Sequence, residues 1–202
     1  MTIFTVSTNG DDSNDGQNQP WRSLQHAANT ARAGDTVLFA DGTYNLGGGD
    51  DINRHSGTAD APIIFQAKDS AEAIFQYDDS ATNKVDIEGV DHLKFIGLVF
   101  DGGKGSDRNA LVRIRNSNHL VFEDCVFRNT FGHVLRITGT NSHISIDHCE
   151  VFPNSITDTS RDGVFIFADS PGSVHHVTVR GCQIHHGDHD AVHEHAALQT
   201  PV

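Results

Sequence analysis

Basic side chains are scarce in this chain: 14 lysines and arginines stand against 27 aspartates and glutamates, a formal net charge of -13. With no basic stripe to neutralise phosphates, nucleic acid and an anionic membrane are poor partners. The same deficit disfavours a polyanion unless bound Ca²⁺ or a local arginine cluster bridges the like charges. No apolar run reaches the ~18 residues that a membrane-spanning helix needs. The opening segment MTIFTVSTNGDD lacks the basic start and apolar centre of a signal peptide. Cysteine is limited to Cys125, Cys149 and Cys182, an odd count without C-x-x-C spacing, which argues against a disulfide framework or a zinc knuckle. Tryptophan occurs once and tyrosine twice, whereas phenylalanine occurs 12 times and glycine 19 times. Many short buried strands joined by turns produce that bias; long helices do not.

What is present is a repeat. HLKFIGLVF from His92, HLVFEDCVF from His119, HISIDHCEV from His143 and HVTVRGCQI from His176 superpose, with starts 27, 24 and 33 residues apart. The aligned apolar columns are Leu93/Leu120/Ile144/Val177, Phe95/Phe122/Ile146/Val179, Leu98/Cys125/Cys149/Cys182 and Phe100/Phe127/Val151/Ile184. Apolar residues at alternate positions define strands with one face inward. A further strand precedes each unit, with inward pairs Val85 and Ile87, Val112 and Ile114, Leu135 and Ile137, and Val164 and Ile166. Two or three short strands per repeat, with no helical pattern between them, predict an all-β solenoid whose coils rise by ~4.8 Å each. About seven coils fit one domain spanning residues 1–202.

The cysteines then fall in one inward column, where they act as small apolar residues. The histidine column His92/His119/His143/His176 reads as a turn or edge ladder, because side chains stacked along a line do not surround an ion. Leu24, Ala27, Ala28 and Ala31 recur at helical spacing and Gly34 follows them, so a short helix within about residues 20–34 is expected to cap the first coil. Asp41-Gly42-Thr43-Tyr44 reads as a turn, and Gly47 to Asp60 as a Gly- and Asp-rich loop.

The segments VSTNGDDSNDG, PWRSLQHAANTARAGDTVLFADGTY and GTADAPIIFQA appear in that order. They resemble the opening of the pectate-lyase-like right-handed parallel β-helix proteins, nearest to the alginate lyase and chondroitinase B group. With the coil repeats, the resemblance covers nearly the whole chain. It implies a secreted or cell-surface protein acting on an acidic polysaccharide or oligosaccharide, with Ca²⁺ as a candidate cofactor. Members of the lyase group resemble one another in using a lysine and an arginine beside a Ca²⁺ site. Here the lysines are Lys68, Lys84, Lys94 and Lys104, none on the recurrent strand face beside clustered carboxylates, so no catalytic lysine carries over.

Candidate chemistry lies at the outward positions of the strand before the histidine column. These stack as Asp86/Arg113/Arg136/Phe165 and Glu88/Arg115/Thr138/Phe167, with His133 and Asp162 aligned just before that strand. Extending the Phe127-to-Ile137 offset past Ile184 places Asp190 beside Asp162 and His193 in line with Arg136. Catalytic candidates are therefore His133, Arg136, Asp162 and His193, and Arg113, Arg115, Phe165 and Phe167 are candidates for substrate contact. Asp162 and Asp190 are the candidate metal ligands. Arginine pairs bidentately with a uronate carboxylate, phenylalanine offers a platform for a sugar face, and histidine serves as a base near neutral pH. That set suits β-elimination on a uronic-acid glycan.

Alternatives stand beside this reading. Arg113 and Arg115 equally suit cross-strand ion pairs with Asp86 and Glu88. Asp162-Gly163-Val164 resembles part of the polygalacturonase pattern, although carboxylates on adjacent coils, ~5 Å apart, are closer than the ~6.5–9.5 Å of inverting hydrolysis. A non-catalytic glycan-binding or adhesin-like β-helix, or a fragment of a larger enzyme, is the third. The tract HHGDHDAVHEH is histidine-dense without a defined ligand spacing. Glu194 falls in the inward column of Ile166, so the solenoid is expected to end, slip or be covered there, with a poorly capped C-terminal coil open to self-association.

Overall fold

The computed structural model describes residues 1–46, 50–69, 71–77, 85–102, 110–130, 133–153, 164–167, 173–185 and 192–195. Three parallel sheets wrap one interior. Sheet A stacks β1 (Ile3–Val6), β2 (Thr36–Phe39), β5 (Ile63–Ala67), β8 (Asp91–Ile96), β11 (Asn118–Glu123), β14 (Asn141–Asp147) and β17 (Val174–Arg180). Sheet B stacks β3 (Gly42–Leu46), β6 (Ala73–Tyr77), β9 (Val99–Asp101), β12 (Val126–Thr130), β15 (Glu150–Pro153) and β18 (Gln183–Ile184). Sheet C stacks β4 (Asp50–Ile52), β7 (Val85–Glu88), β10 (Val112–Arg115), β13 (Leu135–Thr138), β16 (Val164–Phe167) and β19 (Val192–His195). The chain runs from C to A to B and returns to C one coil on. This is a right-handed parallel β-helix, and the seven strands of sheet A match the expected number of coils.

The columns read from the repeat are the observed register. Leu120 pairs with Leu93 and Ile144, and Phe122 with Phe95 and Ile146. Inside, Phe65, Phe95 and Phe122 stack with centroids 5.4 and 4.9 Å apart, and Phe100 stacks on Phe127 at 5.0 Å. Among the described residues seven phenylalanines are fully buried, each removing an apolar ring worth about 1.5–3 kcal/mol from water. The cysteine column is inward as expected. Each thiol donates to a carbonyl of the preceding coil: Cys125 to Phe95, Cys149 to Phe122 and Cys182 to Ile146, at 3.4, 3.5 and 3.3 Å. Burial pushes the Cys125 thiol well above its ordinary pKa, so it stays neutral.

Corners require left-handed backbone, and the sequence places tolerant residues there. Between sheets C and A stand Gly89 and Asn116 (φ 67 and 50°), and between A and B stand Gly97, Asp124, His148 and Gly181 (φ 65, 52, 53 and 64°). The histidine column occupies a third left-handed position, inside the sheet A strands, with φ of 56, 55, 55 and 55°. Its rings stack face to face at 4.4, 4.5 and 4.6 Å, so the ladder reading holds.

Three local expectations change. The helix α1 covers only Leu24–Thr30, with Ser23 as N-cap, and Gly34 instead belongs to the turn entering β2. Its capping role holds by an unforeseen contact: the Gln25 amide donates to Asp51 O and accepts from Asp51 N, covering the outer edge of β4. The Asp41–Tyr44 turn is shorter than expected, because β3 begins at Gly42 and pairs with β6. The Gly47–Asp60 loop contains β4, whose single inward residue Ile52 was too little to mark a strand. At the far end the register continues without a slip, with Ile166 paired to Glu194. There Val177, Val179, Cys182 and Ile184 are only half-buried, whereas their counterparts one coil earlier are fully enclosed.

Candidate functional site

Sheet C carries two files of residues at outward register positions. One runs Asp51, Asp86, Arg113, Arg136, Phe165, His193, and the other Glu88, Arg115, Thr138, Phe167, His195. The alignment of Arg136 with Phe165 and His193 read from the sequence is thus the observed backbone register. Asp51 joins this file only through β4, a strand that the sequence pattern does not mark. The 24-to-33-residue repeat begins after it, so only the Asp-Asp-Ile alternation could have signalled it.

The three arginines differ sharply. Arg113 lies bidentate on Asp86, its Nε and Nη2 reaching the two carboxylate oxygens. Arg115 binds Glu88 and lies at 4.0 Å from Asp86. Both therefore make the cross-strand ion pairs that the sequence offered as one of their two roles. Donation to the Asp86 carboxylate holds the Arg113 proton more firmly than usual, and burial, then the Asp86 charge, pushes the Asp51 carboxyl above its ordinary value. Arg136 is half-buried and its Nε is shut off from solvent, yet among the described residues no group pairs with it. That N–H has lost water without gaining an acceptor.

His133 is half-buried and precedes β13; its carbonyl accepts from Leu111 N at 2.9 Å. Phe165, Phe167 and His193 have described backbones only. Asp162 and Asp190 lie outside the described residues, as does most of the histidine-dense tract. Among the described residues no three His, Cys, Asp or Glu side chains gather as metal ligands. Asp86 and Glu88 are already occupied by guanidinium groups, so the described carboxylates of sheet C do not themselves make a Ca²⁺ site.

One feature of the topology locates the face further. All connections from sheet A to B but β5–β6, and those from β7, β10 and β13 to sheet A, take two residues each, whereas no connection from B to C is that short and four of the six exceed five residues. Sheet C therefore begins at the edge where loop variation is concentrated, the usual position for binding groups on a rigid scaffold.

Residues 4–190 match the family described as Pel9A-like, right-handed β-helix region. The chain belongs to that family. Among solved structures, the Pel9A-like fold here is similar to pectate lyase Pel9A (TM-score 0.74, 23% identity, 90% of this chain and 47% of that one). It is also similar to a rhamnogalacturonan lyase (TM-score 0.76, 18% identity, 96% of this chain and 54% of that one). An alginate lyase from Paenibacillus sp. str. FPU-7 aligns with TM-score 0.70 and 15% identity over 95% of this chain and 61% of its own. At these identities the likeness is one of fold. The uncharacterized protein YwoF of Bacillus subtilis (strain 168) is 43% identical over 63 residues, 30% of this chain and 13% of its own length. The chain thus spans less than two thirds of each of these proteins. No described helix is long and apolar enough to cross a membrane.

Proposed function

We propose that the Pel9A-like coils act on a uronic-acid polysaccharide outside the cell, as a polysaccharide lyase cleaving by β-elimination on the outward face of sheet C. The observation that carries this reading is the guanidinium of Arg136, desolvated at Nε and unpaired among the described residues, beside an Arg113 already neutralised by Asp86. A uronate carboxylate supplies the acceptor that Arg136 lacks, and a bidentate pair would withdraw charge from the adjacent C5.

The reaction then needs a base to take the C5 proton. His133, three residues before Arg136, is suited to that role near neutral pH. As the C5–H electron pair forms the C4=C5 double bond, the C4–O bond breaks, and the departing glycosidic oxygen takes a proton. In this reading His193, two rungs from Arg136 in the same file, supplies that proton. Phe165 and Phe167 provide the platform for neighbouring sugar faces. Asp162 and Asp190 would hold Ca²⁺, whose charge would further neutralise the uronate.

The test is a panel of polygalacturonate, alginate and rhamnogalacturonan, run with Ca²⁺ and with a chelator and followed by ultraviolet absorbance. Elimination gives unsaturated uronate ends that absorb. New reducing ends without that absorbance mean hydrolysis instead, and binding without either removes the enzymatic claim.

A further inference from the structure

Sheet B presents a second arrangement that the sheet C reading does not use. Its outward file runs Gln76, Asp101, Arg128, Phe152, with His185 following on the next coil. Phe152 is 36% exposed, one of the few large apolar side chains left open to solvent among the described residues. Its ring lies flat against that of His185, with centroids 4.4 Å apart and planes 6° from parallel. The strand alternation puts Glu150 and Gln183 on the same face, two residues before each ring and paired with one another in register. Neither of these two side chains has a hydrogen-bond partner among the described residues. The result is a two-by-two patch: two stacked rings edged by a carboxylate and an amide.

The charge of the patch is informative. The nearest cation in the file, Arg128, is held twice, by Asp101 at 2.8 Å and by Glu72 at 3.4 Å. Asp101 is further occupied by the Asn129 amide at 3.0 and 3.1 Å. Among the described residues of this file no cation is left to receive a carboxylate, and Glu150 would repel one. A flat apolar platform with adjacent acceptors and an amide fits the apolar face and equatorial hydroxyls of an uncharged sugar ring.

We infer that Phe152, His185, Glu150 and Gln183 form a binding subsite for a neutral pyranose, separate from the uronate face on sheet C. The inference rests on the proposed function only in taking a glycan as the partner. A chain with both sites would engage a heteroglycan, binding uronate units on sheet C and uncharged units or side chains on sheet B.

The experiment is native affinity electrophoresis of the 202-residue chain in gels containing galactan, mannan or xyloglucan, with polygalacturonate as the charged arm. At least one neutral polymer retards the protein. Phe152→Ala weakens that retardation about tenfold, Phe152→Tyr retains it, and Arg136→Gln leaves it unchanged. Glu150→Ala and Gln183→Ala, which alter no ring and leave the core intact, also weaken it and decide the matter should Phe152→Ala fail to fold. Retardation by none of the neutral polymers, or by polygalacturonate alone, overturns the inference, as does wild-type mobility of the Phe152, Glu150 and Gln183 variants. The two proposals fail separately. Retardation without unsaturated products removes the lyase reading alone, and unsaturated products without retardation remove this one alone.

Discussion

Sheets A and C turn opposite kinds of surface to solvent, although the same coils build both. Along sheet A one residue type is repeated, His92, His119, His143 and His176, each with a left-handed backbone and each stacked on the next. Along sheet C the chemistry changes as the file climbs, from Asp51 and Asp86 through Arg113 and Arg136 to Phe165 and His193. A homotypic ladder gains from repetition, because every ring satisfies its neighbours and none is left over. A heterotypic file leaves mismatches, and Arg136 is the clearest of them. The difference separates a surface that holds coils together from one arranged to meet something else.

The interior beneath both faces is shared, so the largest effect comes from breaking it. Phe122→Ala removes a fully buried ring between Phe95 and Phe127 and is expected to lower stability by about 3–5 kcal/mol. Chemical denaturation followed by circular dichroism measures it, and a loss under ~1 kcal/mol would contradict the shared core.

Arg136→Gln addresses sheet C alone. Elimination on polygalacturonate is expected to fall about 10²–10³-fold, as when a charge-stabilising group is removed from a reacting centre. The melting temperature should hold or rise, because Arg136 supports no described partner.

Asp86→Ala makes a second, smaller mismatch by taking the bidentate carboxylate away from the partly buried Arg113 guanidinium. About 1–3 kcal/mol of stability is expected to go with it. Restoring stability with Arg113→Leu in the same chain identifies the stranded charge as the cause.

The smallest effect concerns the ladder. The pKa of His143 lies below its ordinary value of 6.5, through burial first and then the charges of His119, His176 and His175. A depressed folded pKa means that the folded state prefers the neutral ring. The ladder's contribution is therefore fully present above about pH 6.5 and is lost as pH falls through the folded value. Thermal melts across that range should show a decline that His143→Asn reduces by on the order of one to a few degrees, asparagine being tolerated at a left-handed position. An unchanged pH profile in that variant would assign the decline elsewhere.

The fold was legible because its signal is repeated. Columns such as Phe95/Phe122/Ile146/Val179 state the inward face four times over, and a register error of one residue would expose all of them. Where a coil offers a single inward residue, as Ile52 does in β4, periodicity has nothing to count, and both the strand and Asp51 went unseen. The helix stops short of its apolar spacing, because Ala31 fits that spacing while the backbone has already turned extended there. The site was legible only as an order of residues. That Arg113, Arg115 and Arg136 fall on outward positions follows from alternation. Which of them is already neutralised depends on how guanidinium groups reach Asp86 and Glu88 across coils, and one-dimensional spacing does not contain that geometry.

The most direct measurement is a crystal structure of the His133→Ala variant, chosen to slow turnover, soaked with a short oligogalacturonide. The oligosaccharide should lie on sheet C with one carboxylate bidentate on the Arg136 guanidinium, while Arg113 keeps its contact with Asp86. A sugar seated along the histidine ladder of sheet A, or one whose carboxylates all avoid Arg136, would contradict the account.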